Sequence, residues 1–173
     1  MTKDDNFTVV LVSLENLLVK QFRSLQKLID ITRSERDLLQ RGDTALLMKV
    51  VEEKEAMLDK LSLLEDTRRM LIQDISLKLG VQSEYTSITD ILPWLDKPIA
   101  QRLTTLIDGI TGLVDKARDL NIGNQALVYS RLDWLKATQS FLLSFAQSGE
   151  SYRSPKAVSP SRDGRGWGLE YRA

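Results

Sequence analysis

Apolar residues recur at steps of three, four and seven along most of the chain. This spacing places them on one stripe of an α-helix. The first stripe predicts a helix over 6–41, with Asn6 as its N-cap and Gly42 as the first interruption. A helix of this length would be roughly 50 Å long, which is typical of a coiled-coil hairpin. Its apolar positions include Phe7, Leu11, Leu14, Leu18, Leu25, Leu28 and Leu39.

A second stripe of the same kind predicts a helix over 43–79. Gly42 suits a left-handed cap on the first helix, and Asp43 suits the N-cap of the second. Two amphipathic helices joined by so short a turn pack as an antiparallel hairpin. The stripe runs through Leu47, Val50, Met57, Leu61, Leu64, Leu71, Ile75 and Leu79.

Two positions of the second stripe, Lys54 and Arg68, are polar. One interpretation is that their aliphatic stems cover the seam while the charges reach water. The other is that they pair with carboxylates and fix the register of the hairpin. Counting from the turn places Lys54 near Asp30 or Arg33, with Glu35 about one turn away.

The segment 81–95 predicts a connector that holds one short helix near Ile88–Leu92, with Trp94 packing it against the hairpin. Asp96 as N-cap and Pro98 in the first turn begin a third long helix over 96–147. Its glycines each weaken it by roughly 1 kcal/mol relative to alanine, and Gly123 is the position that most favours a kink if the helix is not continuous.

The last residues, 148–173, are rich in serine, glycine, proline and arginine and have no apolar period. This composition predicts a flexible tail after a helical bundle over 1–147. The expected fold class is therefore all-α: a long antiparallel hairpin, a short connector helix and a third long helix in a coiled-coil-like bundle.

Composition narrows the function. Lysine plus arginine and aspartate plus glutamate both total 24, so the chain lacks the basic excess of a nucleic-acid binder. Cysteine and histidine are absent, and no nucleotide, metal or nucleophile motif is visible, so we expect no enzyme, cofactor or metal. We also expect no membrane span and no secretory signal, and therefore a cytoplasmic location.

The stretch 120–145 carries more large apolar residues than one helix–hairpin seam needs. The surplus fits a fuller bundle core, a homodimer, or a surface for a partner's amphipathic helix. Asn121 and Asn124 either cap a local kink or orient a partner segment through its backbone. The candidate binding residues are Leu120, Asn121, Asn124, Leu127, Val128, Tyr129, Leu132, Trp134, Leu135, Phe141 and Leu142.

The sequence resembles those of the FlgN-type flagellar export chaperones. The resemblance rests on Glu35 before a Gly-Asp turn, then Lys54, a leucine run and Arg68, and on Asn121-x-x-Asn124 before an apolar helix. It extends over nearly the whole chain, including the tail. Gly123, between the two asparagines, departs from the regular helix that the resemblance implies.

The resemblance implies a cytoplasmic chaperone for the hook-associated, or hook–filament junction, proteins of FlgK/FlgL type. It implies that the C-terminal part of the chain binds the C-terminal helices of these clients and that the complex is delivered to the flagellar type III export apparatus. The alternative is a structural homodimeric coiled coil with no secreted client.

Overall fold

The computed structural model of the protein describes residues 3–81 and 86–149, with the side chains of 7–81 and 86–144. These residues form helices joined by short connections, and no strand occurs among them. The all-α prediction is confirmed. The elements are α1 (Lys3–Arg41), α2 (Thr44–Leu79), α3 (Ile88–Ile91), a 3₁₀ turn (Leu92–Trp94) and α4 (Lys97–Gly149).

The turn between α1 and α2 is formed as the sequence predicts. Gly42 adopts φ 77°, a left-handed conformation that glycine enters without a Cβ clash, and its N–H donates to the Leu38 carbonyl at 2.9 Å. The Asp43 side chain then accepts the Leu46 N–H at 3.1 Å and caps α2. This two-residue turn folds α2 back along α1, and the two helices pack closely.

The chain divides into two compact units, Met1–Arg131 and Leu132–Ala173. The first unit has its core where α1, α2, α3 and the start of α4 meet. Leu14, Ile75, Ile91 and Leu103 are fully buried there. A second apolar cluster nearer the turn contains Leu25, Leu28, Ile31 and Met57. Burial of these stripes holds the helices together, since a helix of marginal propensity is stabilised mainly by packing.

Some details differ from the sequence expectations. α1 begins at Lys3, so Asn6 lies inside the helix and does not cap it. Trp94 is 62% exposed, so the prediction that it packs the connector against the hairpin is wrong. The buried Ile88 and Ile91 anchor the connector, and Ser87 and its capping box fix the start of α3.

The fourth helix stays helical through Gly109, Gly112 and Gly123. Gly109 has a packing reason, because a Cβ at this position would lie only 2.9 Å from the ring of Phe22 on α1. α4 extends to Gly149, and the tail prediction for 150–173 lies outside the described residues. Among the helices that the structure describes, none is long and apolar enough to cross a membrane.

Candidate functional site

A polar cluster joins three helices close to the hairpin turn. Lys54 on α2 donates to Oε2 of Glu35 on α1 at 2.6 Å and to Oδ1 of Asn121 on α4 at 2.8 Å. The side chains of Lys54 and Glu35 are only 14% and 13% exposed. A pair this sheltered depends on its hydrogen bonds to offset the desolvation of both charges.

The amide of Asn124 completes this cluster. Its Nδ2 donates to Oε2 of Glu35 at 2.8 Å and to the backbone carbonyl of Thr32 at 2.9 Å. Asn124 is 2% exposed, and its Oδ1 is buried without a hydrogen-bond partner. We call Thr32, Glu35, Lys54, Asn121 and Asn124 the junction cluster. It holds α4 against the hairpin at one level through hydrogen bonds to both helices.

The observed partner of Lys54 lies about one helical turn from the position that counting from the turn predicts. Asp30 pairs within its own helix with Arg33 at 3.1 Å, and Glu35 takes the lysine. Thr32 was not among the sequence candidates, because it contributes only its backbone carbonyl to Asn124. A contact through a backbone carbonyl cannot be predicted from a pattern of side chains.

Arg68 lies in a second cluster, which is built mostly within α2. Its Nε and Nη2 donate to the two carboxylate oxygens of Glu65 at 2.7 and 2.6 Å. Arg69 and Gln21 also donate to Glu65, at 3.2 and 3.3 Å. The hydrogen bond from Arg68 holds the pKa of the Glu65 carboxyl below its usual range, and the same bond raises the pKa of Arg68.

The candidate binding residues of the first unit fall into two groups. Asn121 and Asn124 hydrogen-bond within the bundle, and the burial of Asn124 leaves it unable to present polar groups to a partner on the surface. Neither residue caps a break in the helix, because α4 is continuous there. Leu120 and Leu127 are half-buried, whereas Val128 and Tyr129 are exposed.

The candidate residues of the second unit share one property: all are exposed large apolar side chains on α4. Their exposed fractions range from 45% for Leu132 to 66% for Trp134. Leu143, outside the candidate set, is also exposed. The only charged residues on the helical stretch 132–149 are Asp133 and Lys136. We call the exposed apolar residues of this unit the distal apolar surface: Leu132, Trp134, Leu135, Phe141, Leu142 and Leu143.

The junction cluster and the Arg68 cluster both have the character of structural contacts between side chains. The ionisable groups of both clusters are paired with one another, and no nucleophile is held beside a base in either cluster. Within the described ranges, no group of three or more acidic residues could hold a metal ion. A separate feature is the exposed apolar surface on α4, and exposed apolar patches commonly mark interaction sites.

Comparison with known proteins identifies the family. The family model described as FlgN protein matches residues 11–160. The chain belongs to the FlgN family. No curated protein and no solved structure matches it.

Membership confirms the resemblance seen in the sequence and gives the chain the general role of a flagellar export chaperone. The FlgN match spans the hairpin, the junction cluster and all of α4, so it includes both the bundle and the distal apolar surface. The FlgN family is a chaperone family and is not known as a family of enzymes.

Proposed function

We propose that this FlgN-family protein masks the C-terminal amphipathic helices of hook–filament junction proteins of FlgK/FlgL type in the cytoplasm. It then delivers these clients to the flagellar type III export apparatus. The observation that carries the proposal is the distal apolar surface, where large side chains lie exposed on a helical stretch whose only charged residues are Asp133 and Lys136. Exposed apolar patches of this kind mark interaction sites in water-soluble proteins.

The proposed mechanism is physical masking. The terminal helices of a filament subunit carry apolar faces that pack against neighbouring subunits after assembly. A chaperone that covers such a face by helix-to-helix packing keeps the subunit from polymerising early. Because the surface offers only Asp133 and Lys136 as charges, the affinity must come mainly from apolar burial, which leaves binding nearly independent of salt.

Large aromatic residues dominate the energetics of interfaces like this one. We therefore assign the main anchors to Trp134 and Leu135 of the distal apolar surface, which are 66% and 55% exposed, and to Tyr129 of the first unit, which is 67% exposed. Leu132, Phe141 and Leu142 of the distal apolar surface are proposed as further contacts, as are, separately, Leu120, Leu127 and Val128 of the first unit. Asn121 and Asn124 are left out, because their amides are used within the junction cluster.

The test is calorimetric titration of the full chain with the C-terminal helical peptides of the hook–filament junction proteins encoded by the same genome. We expect saturable one-to-one binding, and Trp134→Ala should weaken it at least tenfold without changing helix content. Trp94→Ala is the matched control, since this tryptophan is 62% exposed but lies on the connector. Equal losses in both variants would remove Trp134 from the anchor role.

The titration could also show that the distal apolar surface binds a second copy of this chain. If the full chain binds no junction-protein peptide and instead elutes as a tight dimer that Trp134→Ala dissociates, the distal apolar surface serves self-association. That result would replace the proposed client function with the structural coiled-coil alternative.

A further inference from the structure

A pocket of about 260 Å³ lies on the hairpin, between α1 and α2. All of its lining residues belong to these two helices, so it is separate from the distal apolar surface on α4. Four of its six described lining residues are cations, and none is acidic. We call this lining the basic pocket: Lys20, Arg23, Ser24, Lys27, Met57 and Lys60.

Most cations of the basic pocket have no partner. Lys27 pairs with Glu53 at 3.1 Å, and both of these side chains are half or more exposed. Within the parts of the chain that the structure describes, Lys20, Arg23 and Lys60 form no ion pair and no hydrogen bond. The pocket therefore keeps three positive charges that no carboxylate of the bundle neutralises, and these like charges repel one another.

The acidic residues nearest to this part of α1 are used elsewhere. From residue 16 to residue 29, α1 has three cations and no acidic residue. Glu15, just before this stretch, pairs with Arg102 of α4 at 2.9 Å. Asp30, just after it, pairs with Arg33 at 3.1 Å. The positive charge on α1 is thus not cancelled from either end.

The acidic residues of α2 lie on another side of that helix. Asp59 and Glu55 are exposed, but they lie about 100° and about 140° around the helix axis from Lys60. Glu52, also exposed, is about two turns from Lys60 along the helix. These carboxylates restrict the partner, because a flat anionic membrane that reached the pocket would also meet them, whereas a narrow segment would not.

The floor of the pocket adds a hydrogen-bond donor. Ser24 and Met57 are only 5% and 8% exposed. The Ser24 hydroxyl forms no hydrogen bond with any residue that the structure describes, so it can donate to a bound acceptor. A carboxylate accepts hydrogen bonds from hydroxyl, ammonium and guanidinium groups alike, and the charged donors give the stronger ones.

From this arrangement we infer that the basic pocket binds a short acidic segment of a partner protein. Lys20 and Lys27 are seven residues apart, so the cations extend over about 10 Å of α1, a length that two or three nearby carboxylates can match. Nucleic acid fits less well, because so short a basic surface meets few phosphates and the chain has no net positive charge.

A second copy of this chain also fits less well. The side of α2 that carries Glu52, Glu55 and Asp59 could supply the carboxylates, but it is a different surface from the basic pocket. A contact between two different surfaces is heterologous, so it extends from copy to copy and does not close as a twofold dimer. We therefore assign the acidic segment to another protein.

The probe is a short alanine-based peptide with three glutamates at steps of three and four residues, and its control has glutamine at the same positions. Carbon-13 labelling of the methionine methyl groups of the full chain reports binding, because the chain has only four methionines and Met57 lines the pocket. We expect the glutamate peptide to shift the Met57 resonance saturably at low salt. Met48 and Met70, which are 67% and 71% exposed and outside the lining, should not shift, and the glutamine peptide should shift none of the three.

Charge reversal tests the cations. Lys20→Glu combined with Arg23→Glu should weaken binding of the glutamate peptide at least tenfold. Lys116→Glu combined with Arg118→Glu is the matched control, because it makes the same change in net charge at exposed α4 residues outside the lining, and we expect parental binding. All four positions are exposed, and circular dichroism checks that helix content is unchanged. Added salt should weaken binding to the parent.

Equal losses in the two double variants would show that the peptide responds only to net charge, and this would overturn the inference. A Met57 resonance that the glutamate peptide does not move would overturn it as well. Inorganic phosphate or phosphatidylglycerol vesicles that shift Met57 as strongly as the peptide, at equal anionic charge, would assign the pocket to another ligand. A Met57 shift on concentrating the chain alone would assign it to a second copy. The inference does not rest on client binding, so Trp134→Ala should leave the affinity for the glutamate peptide unchanged.

Discussion

The two polar clusters of the bundle use similar side chains in opposite ways. The junction cluster links α1, α2 and α4, and its central acceptor, Oε2 of Glu35, receives hydrogen bonds from two other helices. The cluster around Arg68 is mostly local, because Glu65 is bound chiefly by its own helical neighbours. The first therefore constrains how helices sit against one another, and the second mainly satisfies charges on one helix.

This difference has an energetic consequence. Removing one member of the junction cluster leaves sheltered polar groups on other helices without partners, and such groups carry a full desolvation cost. Removing a member of the Arg68 cluster releases groups that water can reach, since the Glu65 side chain is 34% exposed. The two clusters can thus be compared by mutation, and the expected effects decrease from the first to the second.

The largest effect is expected for Glu35→Ala. It removes the acceptor for both Lys54 and Asn124, and we expect a loss of about 3 kcal/mol in the free energy of unfolding. Urea denaturation followed by circular dichroism measures this loss. Glu15→Ala is the matched control, because Glu15 makes an exposed pair with Arg102 and should cost no more than about 0.5 kcal/mol. Equal losses in the two variants would contradict the special position of Glu35.

A smaller loss in the free energy of unfolding, about 1–2 kcal/mol, is expected for Asn124→Ala. The change removes two hydrogen bonds but also the buried Oδ1 that has no partner, and alanine favours the helix. Because Glu35 and Asn124 share one bond, the double variant should lose less than the sum of the single losses. Strict additivity in this double-mutant cycle would mean that the two side chains do not act together.

The sequence predicted the helices and the hairpin because these depend on local spacing. The Gly42–Asp43 turn and the stripes through Leu14, Leu18 and Ile75 are all local patterns. The excess of large apolar residues beyond residue 120 could also be predicted, because it is a property of the sequence of one helix and does not depend on contacts with other helices.

The contacts between helices were harder to predict. Counting from the turn assumes straight, ideal helices, and the error reached one turn at Lys54, which pairs with Glu35. The direction of the Asn124 amide depends on where α4 lies over Thr32, and no spacing within α4 gives that information. An open groove lined by Leu61, Arg68 and Val114 exists only because three helices leave space between them, so it has no sequence signature.

The smallest effect in the comparison is a pH dependence. The Arg68 hydrogen bond keeps the pKa of Glu65 below its usual range in the folded chain, so the unfolded chain binds the proton more readily. The stability from this pair is therefore complete above the ordinary carboxyl pKa of about 4.3 and is lost as the pH falls through the lowered value.

We expect Arg68→Met to lose less stability than the parent between pH 6 and pH 3, by at most about 1 kcal/mol because Glu65 is partly exposed to water. Urea midpoints at the two pH values measure the difference, with Arg33→Met at the exposed Asp30 pair as the control. The same pH dependence in the parent and in Arg68→Met would contradict this prediction, because the Glu65–Arg68 pair would then contribute nothing to the loss of stability in acid.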